Sequence, residues 1–293
     1  MRIIILGAAA GGGLPQWNCG CGHCDAARAG RIPSMTQSSI AVSADGLTWA
    51  ILNASPDIRA QLQATPALHP TGPRAVPLRS VLVTNGDIDH VAGLLTLRES
   101  QPFDLFATQT IHDALAANPM IAAVNPDHVP RRTVALDRTI PLAPGLTATL
   151  FAVPGKVPLY QEGAVVETGL IGETTVGVEL RAGDRRALYI PGCAELPDWL
   201  RQRIAGADAL FFDGTLWDDD EMIRMGLGRK TGRRMGHMPV TETLAALDGT
   251  PLGRRILVHM NNSNPLCDPS SPQSAEAEAR GWQVARDGME IAL

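Results

Sequence analysis

Hydrophobic positions along the chain fall into short runs separated by turn signals, at a spacing typical of β-strands. Asp45-Gly46 and Asp287-Gly288 are two-residue turn signals, and they predict hairpins between 38–43 and 47–53 and between 282–285 and 289–293. The other runs rich in β-branched residues predict strands at 2–6, 80–83, 132–136, 146–153, 174–180, 186–190, 208–212 and 254–259.

Helical patterns begin where proline, acidic, amide or serine residues supply start signals. These starts follow Pro56, Asp89, Gln109, Glu195, Pro239 and Ser274. Early hairpins followed by strand–helix alternation predict layered sheets with helices outside, an α/β (α+β) arrangement rather than a doubly wound parallel sheet. The Pro-rich stretch 65–79 is too short to separate two units, so the sequence predicts one domain over residues 1–293.

Composition narrows the classes of partner. The 293 residues carry a net charge of -5, which argues against nucleic acid because such a partner requires a basic face. No apolar run approaches the roughly 20 residues that span a bilayer. The N-terminal "IIIL" reads as a buried strand and not as a signal peptide, so we expect a cytoplasmic protein without a membrane partner.

Three of the five cysteines lie within residues 19–24, a spacing typical of a metal site in a reducing compartment. Cys19, Cys21 and Cys24, in a loop of residues 15–36, predict a structural zinc site. A structural zinc requires a fourth ligand. His23 is too close in sequence to fit without strain, so a distant residue is expected. The alternative is three free thiols.

A second candidate site begins at "TNGDIDH", directly after the strand 80–83. Asp87, Asp89 and His90 fit a metal loop, and they fit equally an Asx turn in which Asp89 caps the following helix. His259 at the end of a buried strand and His237 before Met-Pro favour the metal site.

Polar residues near these histidines are candidates for further roles. Asp213 ends a strand and would be a ligand, a partner of a histidine or a turn residue. Arg229 and Lys230, in the basic stretch 228–234, would bind a small substrate rich in carboxylates. A solvated loop is the alternative explanation of that stretch.

These motifs in this order resemble the metallo-β-lactamase superfamily, which implies a four-layer αββα sandwich. The superfamily motif T-H-x-H-x-D-H corresponds to residues 84–90, where Asn85 and Asp87 replace two histidines. Lys156 and Cys193 stand where a ligand histidine and a bridging aspartate are usual, whereas His259 fits the last ligand. A dinuclear zinc hydrolase is therefore disfavoured.

A narrower resemblance covers nearly the whole chain. The segments "WNCGCGHC", "NASPDIRAQL", "TNGDIDHVAGLLTLRE", "YIPGCAEL", "FFDGTLWDDDEM", "TGRRMGHMPV", "HMNNSNP" and "GWQVARDGMEI" resemble the family of pyrroloquinoline quinone (PQQ) biosynthesis protein B. The resemblance implies a structural zinc at the cysteines. It also implies an iron- and O2-dependent hydroxylase acting on the tyrosine ring of a peptide-derived Glu-Tyr unit, with other PQQ pathway proteins as further partners.

This resemblance leads to one hypothesis for the residue roles, in which the segment 259–262 has two competing uses. Two histidines and a carboxylate commonly hold iron(II), so His90, His259 and one or both of Asp87 and Asp89 are the predicted ligands. His237 is a further ligand or an acid–base group. Asn85, Asn262, Arg229 and Lys230 are assigned to the substrate. The segment 259–262 is also a source for the fourth zinc ligand, which competes with the use of His259 at iron. The alternatives are a non-catalytic PQQ carrier with a transport role and a metal-dependent hydrolase.

Overall fold

The structure, a computed structural model, describes residues 1–293 and contains two seven-stranded mixed sheets. The strands are β1 Arg2–Gly7, β2 Ser39–Ser43, β3 Trp49–Leu52, β4 Leu78–Leu82, β5 Asp104–Ala107, β6 Arg131–Thr133, β7 Thr139–Ala143, β8 Leu146–Ala152, β9 Val176–Ala182, β10 Arg185–Ile190, β11 Ala209–Asp213, β12 Arg254–Val258, β13 Trp282–Val284 and β14 Glu290–Ala292.

Helices occupy the connections between these strands. They are α1 Gly22–Arg28, α2 Ile58–Ala64, α3 Ile88–Val91, α4 Gln109–Ala116, α5 Asp198–Ile204, α6 Glu221–Arg224, α7 Gly232–Met235, α8 Val240–Ala246 and α9 Pro272–Ala279. Five short 3-10 helices lie at Pro66–Leu68, Ala92–Leu95, Pro119–Ala123, Leu159–Gln161 and Pro265–Cys267. None of the helices is long and apolar enough to cross a bilayer.

The first sheet has the strand order β14-β1-β2-β3-β4-β5-β6, and the second has the order β13-β12-β11-β10-β9-β8-β7. Pairing is antiparallel from β14 to β3 and parallel from β3 to β6. In the second sheet, β7 to β10 are antiparallel and β10 to β13 are parallel. Each sheet thus combines an antiparallel half with a parallel half.

Side chains alternate between two cores along the first sheet, as expected from the period of two in a strand. Ile3 and Ile5 of β1 face the larger core, which also contains residues of the second sheet and of α5, α8 and α9. Ile4 and Leu6 face a smaller core with residues of α2 and α4. Helix, sheet, sheet and helix therefore form four layers, and the predicted αββα sandwich is confirmed.

The two predicted hairpins have different outcomes. Strands β2 and β3 pair antiparallel around Asp45, whose carboxylate accepts hydrogen bonds from the backbone N–H groups of Leu47 and Thr48. The prediction of a hairpin at 282–293 is wrong, because β13 pairs with β12 and β14 pairs with β1. The Asp287 carboxylate binds the backbone of Ala8 and Thr36 at 2.9 and 2.7 Å, which directs the chain from one sheet to the other.

Two strands, β5 and β7, and three short helices, α1, α6 and α7, have no counterpart among the predictions. Strand β5 is short, and β7 contains Pro141, which a strand tolerates because β7 lies at the edge of its sheet. Helix α1 lies inside the cysteine-rich loop. The parallel strands β4, β10, β11 and β12 all end near the residues discussed next, in keeping with the rule that ligands bind at the carboxyl ends of parallel strands.

Candidate metal centre

Three potential ligand side chains meet at this edge of the sheets. Donor atoms of Asp89, His90 and His259 all lie within 4.8 Å of one another. Asp89 and His90 lie on α3, directly after β4, and His259 follows β12 of the other sheet. The Asp89 Oδ2 to His259 Nε2 distance is 3.1 Å, and the rings of His90 and His259 have centroids 5.2 Å apart. The site therefore joins the two sheets.

The ring of His90 is fixed by an amide. Its Nδ1 lies 2.7 Å from Asn85 Oδ1, and because a carboxamide oxygen only accepts, Nδ1 carries the hydrogen. The other nitrogen, Nε2, is buried and has no hydrogen-bond partner. Burial lowers the pKa of His90 to about 4, so the ring is neutral and Nε2 presents a lone pair. A buried lone pair without a partner is what a metal ligand requires.

His259 is held in an unusual backbone conformation. Its φ of 64° lies in the left-handed region, which non-glycine residues rarely adopt and which is concentrated at functional sites. The Thr215 hydroxyl donates its one hydrogen to Asp213 Oδ1 at 2.6 Å. It therefore accepts from His259 Nδ1–H at 2.7 Å, and Nε2 faces Asp89. With Nδ1–H bonded to Thr215, a hydrogen on Nε2 is the one that donates to Asp89, and its loss leaves a lone pair for coordination through Nε2.

The two aspartates of the loop differ in charge. Burial opposes ionisation of Asp89, but the neighbouring His90 and the hydrogen bond from His259 lower its pKa below the usual range. Burial and the negative charge of Asp89 raise the pKa of Asp87. Asp87 Oδ2 accepts a hydrogen bond from Asn85 Nδ2 at 2.9 Å, and Asp87 is outside the three-residue donor cluster. Asp89 is thus the carboxylate of the cluster.

A hydrogen-bonded network continues to His237. Asp213 Oδ2 accepts from His237 Nδ1–H at 2.7 Å and from the backbone N–H of Cys193 at 2.9 Å. The rings of His237 and His259 stack with centroids 5.3 Å apart. Asp213, His237 and His259 also have one possible ligand atom each within 4.8 Å of the other two. Thr215 Oγ1, however, already lies within hydrogen-bond distance of all three side chains. They form a hydrogen-bond network that orients both histidines.

The cysteines form a separate cluster. The sulfur atoms of Cys19, Cys21 and Cys24 lie within 4.8 Å of one another. Burial opposes ionisation of Cys19, but hydrogen bonds from the Cys21 backbone N–H, 3.4 Å from its sulfur, and from the side chains of Cys21, Cys24 and Asn262 together lower its pKa. Asn262 Nδ2 donates to Cys24 Sγ at 3.3 Å, and the Asn262 carbonyl oxygen lies 3.9 Å from Cys21 Sγ.

The segment 259–262 therefore serves both clusters without conflict: His259 faces Asp89, and Asn262 faces the cysteines. The assignment of Asn262 to the substrate does not match this position, because its buried amide is occupied by two cysteine sulfurs. Asn85 is likewise occupied by His90 and Asp87, so it positions side chains of the site rather than offering a free amide.

Arg229 and Lys230 of the basic stretch 228–234 differ in their contacts. Arg229 is exposed and takes part in no ion pair, whereas Lys230 Nζ lies 3.8 Å from Glu162 Oε2. Sequence reasoning assigned no role to Thr215 or Glu162, and it included Arg234 only as a member of the basic stretch 228–234, although all three contact residues of this edge. The polar Asp213-Gly-Thr215 signal after a strand was visible, but the partners of Glu162 lie far from it in the sequence.

Comparisons with known proteins agree with this fold. A family model described as the Beta-lactamase superfamily domain matches residues 48–260. Coenzyme PQQ synthesis protein B of Ruegeria pomeroyi is 60% identical over 296 residues, and that of Methylobacterium sp. (strain 4-46) is 57% identical over 299 residues. Each comparison covers 100% of both chains.

Comparisons with solved structures identify the same family and fold. Zn2+-bound PqqB from Methylobacterium extorquens has a TM-score of 0.98 and 54% identity, with 100% of both chains covered. A diphosphatase of the PhnP family has a TM-score of 0.72 at 19% identity and covers 99% of this chain, which shows a shared fold alone. The fold and site thus define a member of the metallo-β-lactamase superfamily. Within it, the chain belongs to the coenzyme PQQ synthesis protein B family.

Proposed function

We propose that this protein acts in PQQ biosynthesis as an iron- and O2-dependent hydroxylase of the tyrosine ring in a peptide-derived Glu-Tyr unit. Membership of the coenzyme PQQ synthesis protein B family supports the pathway. The observation that carries the chemistry is the buried, unpartnered Nε2 of His90 beside the Asp89 carboxylate and His259. Two imidazoles and one carboxylate are the ligand set of many non-haem iron(II) oxygenases.

Iron fits this donor set better than a pair of hydrolytic zinc ions. Asn85, Asp87, Lys156 and Cys193 occupy positions where a dinuclear site needs ligands. Cys193 is a thiol rather than a thiolate, because burial raises its pKa and its sulfur donates to the Glu195 carbonyl at 3.0 Å. Iron(II) bound by His90, His259 and Asp89 would supply the activation of O2 that ring hydroxylation needs.

The cysteine cluster is proposed to hold the structural zinc. Three sulfurs within 4.8 Å of one another fit three corners of a tetrahedron. The relative from Methylobacterium extorquens is described as Zn2+-bound, which supports zinc in this family. Asn262 is our proposed source of the fourth ligand, because its carbonyl oxygen lies beside Cys21 and 3.0 Å from His23 Nδ1.

Residues of this protein would position the metal ligands and transfer protons. Asn85 and Thr215 hold the Nδ1 atoms of His90 and His259, so that both Nε2 atoms point to one place. His237 donates Nδ1–H to Asp213, which leaves Nε2 as the atom at which we propose it accepts or returns a proton. His90 is buried and the Asp89 side chain is only 14% exposed, which limits the access of water to this centre.

The test compares ligand variants with a control histidine. Hydroxylation replaces a ring C–H by C–OH with one atom of O2, and the second atom leaves as water using two electrons from an added reductant. Protein loaded anaerobically with iron(II) then receives O2, ascorbate and Glu-Tyr. We expect His90→Ala and His259→Ala to lose hydroxylation and His69→Ala, on the exposed surface, to retain it. Wild-type activity in both ligand variants would contradict the site assignment.

Element analysis separates the carrier alternative from the enzyme. Protein purified without added metal is expected to contain zinc and iron in similar amounts. Zinc alone at one per chain, together with stoichiometric PQQ binding and no turnover, would favour a carrier instead.

A further inference from the structure

Three cations surround one carboxylate next to the metal centre. Glu162 Oε1 lies 3.0 Å from Lys156 Nζ, and Glu162 Oε2 lies 3.0 Å from Arg234 Nη2 and 3.8 Å from Lys230 Nζ. The Glu162 side chain is only 8% exposed. Hydrogen bonds from Arg234 and Lys156 lower the pKa of Glu162 to about 2. The glutamate is therefore held as a fixed anion.

This cation cluster adjoins the site through Lys156. The positive charge of Lys156 acts on Asp87 as well as on Glu162. Its stem packs against Gly236, where an added Cβ would lie 3.2 Å from Lys156 Cγ, and Gly236 directly precedes His237. The three cations therefore lie around Glu162, and one of them, Lys156, also acts on Asp87 of the metal loop.

The glutamate lies on a long connection. Residues 153–175 join β8 to β9 with a single 3-10 helix at Leu159–Gln161, and connections of this length usually carry function. The Tyr160 hydroxyl donates to the Gly86 carbonyl of the metal loop at 2.9 Å. Large exposed apolar side chains are concentrated on the same connection: Leu159, Tyr160, Val165 and Ile171. The connection thus covers the metal loop and presents an apolar surface beside a carboxylate held by cations.

The arrangement around Glu162 is the one that a bound carboxylate ligand would adopt. Arg234 offers both terminal nitrogens to the two carboxylate oxygens, at 3.4 and 3.0 Å, and Lys156 adds a third donor. Lys230 and Arg234 remain 42% and 37% exposed. A ligand arriving from solvent can therefore reach the same donors.

We propose that Lys156, Lys230 and Arg234 form the carboxylate-binding subsite of the active centre, and that Glu162 occupies it until a substrate carboxylate displaces it. The class of ligand is a small molecule with a free carboxylate, such as an acidic dipeptide. The inference rests on the proposed function only in placing the reaction at the adjoining centre. It adds Glu162 and Arg234 as residues that set specificity for the substrate.

Binding without turnover tests the subsite. Calorimetric titration of the metal-containing protein, under anaerobic conditions, uses Glu-Tyr and Gln-Tyr amide, an analogue without carboxylates, as probes. Loss of one charged hydrogen-bonding partner is expected to raise the Kd for Glu-Tyr about tenfold in Arg234→Gln. Arg233→Gln is the matched control, because Arg233 pairs with Glu242 on the surface, and it should leave the Kd unchanged. The Kd for Gln-Tyr amide should change little in either variant.

Glu162→Gln is expected to change the Kd for Glu-Tyr in the opposite direction. Removing the internal carboxylate should lower the Kd for Glu-Tyr several-fold. Equal binding by the Arg234→Gln and Arg233→Gln proteins would overturn the subsite, and unchanged or weaker binding by Glu162→Gln would overturn the displacement. Thermal melts verify that each variant is folded. Binding is measured without O2, and hydroxylation is measured in the separate assay with O2. Carboxylate-selective binding without hydroxylation would refute only the proposed reaction. Hydroxylation without carboxylate-selective binding would refute only the subsite.

Discussion

Replacement of Asn85 tests whether the His90 ring is positioned for a metal. Asn85 Oδ1 accepts from His90 Nδ1–H at 2.7 Å and from the Asp87 backbone N–H at 3.1 Å, and Asn85 Nδ2 donates to Asp87. Asn85→Ala removes all three hydrogen bonds. It leaves a buried imidazole N–H without a partner, which costs about 1–3 kcal/mol. The ring is then free to rotate or to change tautomer.

The expected consequence is weaker metal binding at this centre. Loss of the partner that orients a ligand histidine typically lowers metal affinity about 10–100-fold, or about 1.4–2.8 kcal/mol. The assay is anaerobic competition for iron(II) with a chelator of known affinity. Zinc content is the internal control, because the cysteine cluster contacts Asn262 and not Asn85.

Asn125→Ala is the matched control variant. Asn125 is exposed and caps a turn through a 2.9 Å hydrogen bond from the Asp127 backbone N–H, and it is remote in sequence from His90, His237 and His259. It should bind iron as the wild type does. An Asn85→Ala protein with wild-type iron affinity would refute the positioning role. Loss of zinc along with iron would show general unfolding instead.

Three further predictions address stability and metal content. Cys24→Ser should lose zinc and melt more than about 5 °C lower, as judged by element analysis and calorimetry, and full zinc retention would contradict the site. Because burial lowers the pKa of His90 to about 4, the folded iron-free protein binds fewer protons than the unfolded chain between about pH 6.5 and pH 4. The contribution of His90 to the free energy of unfolding should therefore fall by about 2–3 kcal/mol as pH drops through this window, and the difference in pH dependence between wild type and His90→Gln in denaturant titrations should show it. Gly93→Ala would place a Cβ 2.1 Å from the Ser55 carbonyl oxygen, so it should destabilise by about 1–3 kcal/mol in such titrations, whereas Gly172→Ala, which adds a Cβ in open space, should not.

Local sequence patterns predicted most strands but not every partner. The Asp287-Gly288 turn has the residues of a hairpin, yet Asp287 binds Ala8 and Thr36, residues more than 250 positions away. A tight-turn signal describes only the local backbone, so it does not distinguish a hairpin from a crossing between sheets. The short strand β5 lacks the length that makes alternation visible.

In the candidate site, too, local sequence patterns predicted individual residues but not the contacts between distant ones. Asp89, His90 and His259 could be predicted because each follows an apolar strand, and the ends of parallel strands meet at one edge. The separation of His259 from Asn262 depends on which way the chain turns after β12, where φ of His259 is 64°. The contact between Glu162 and Arg234 joins positions 72 residues apart and leaves no local pattern.

Isotope labelling tests the central claim most directly. Iron-loaded protein is mixed anaerobically with Glu-Tyr and ascorbate and then exposed to 18O2, and the product is analysed by mass spectrometry. The account predicts one 18O atom incorporated into the tyrosine ring for each hydroxylation, with no product from His90→Ala protein. A product carrying oxygen from water, or cleavage of the dipeptide without ring oxidation, would contradict it.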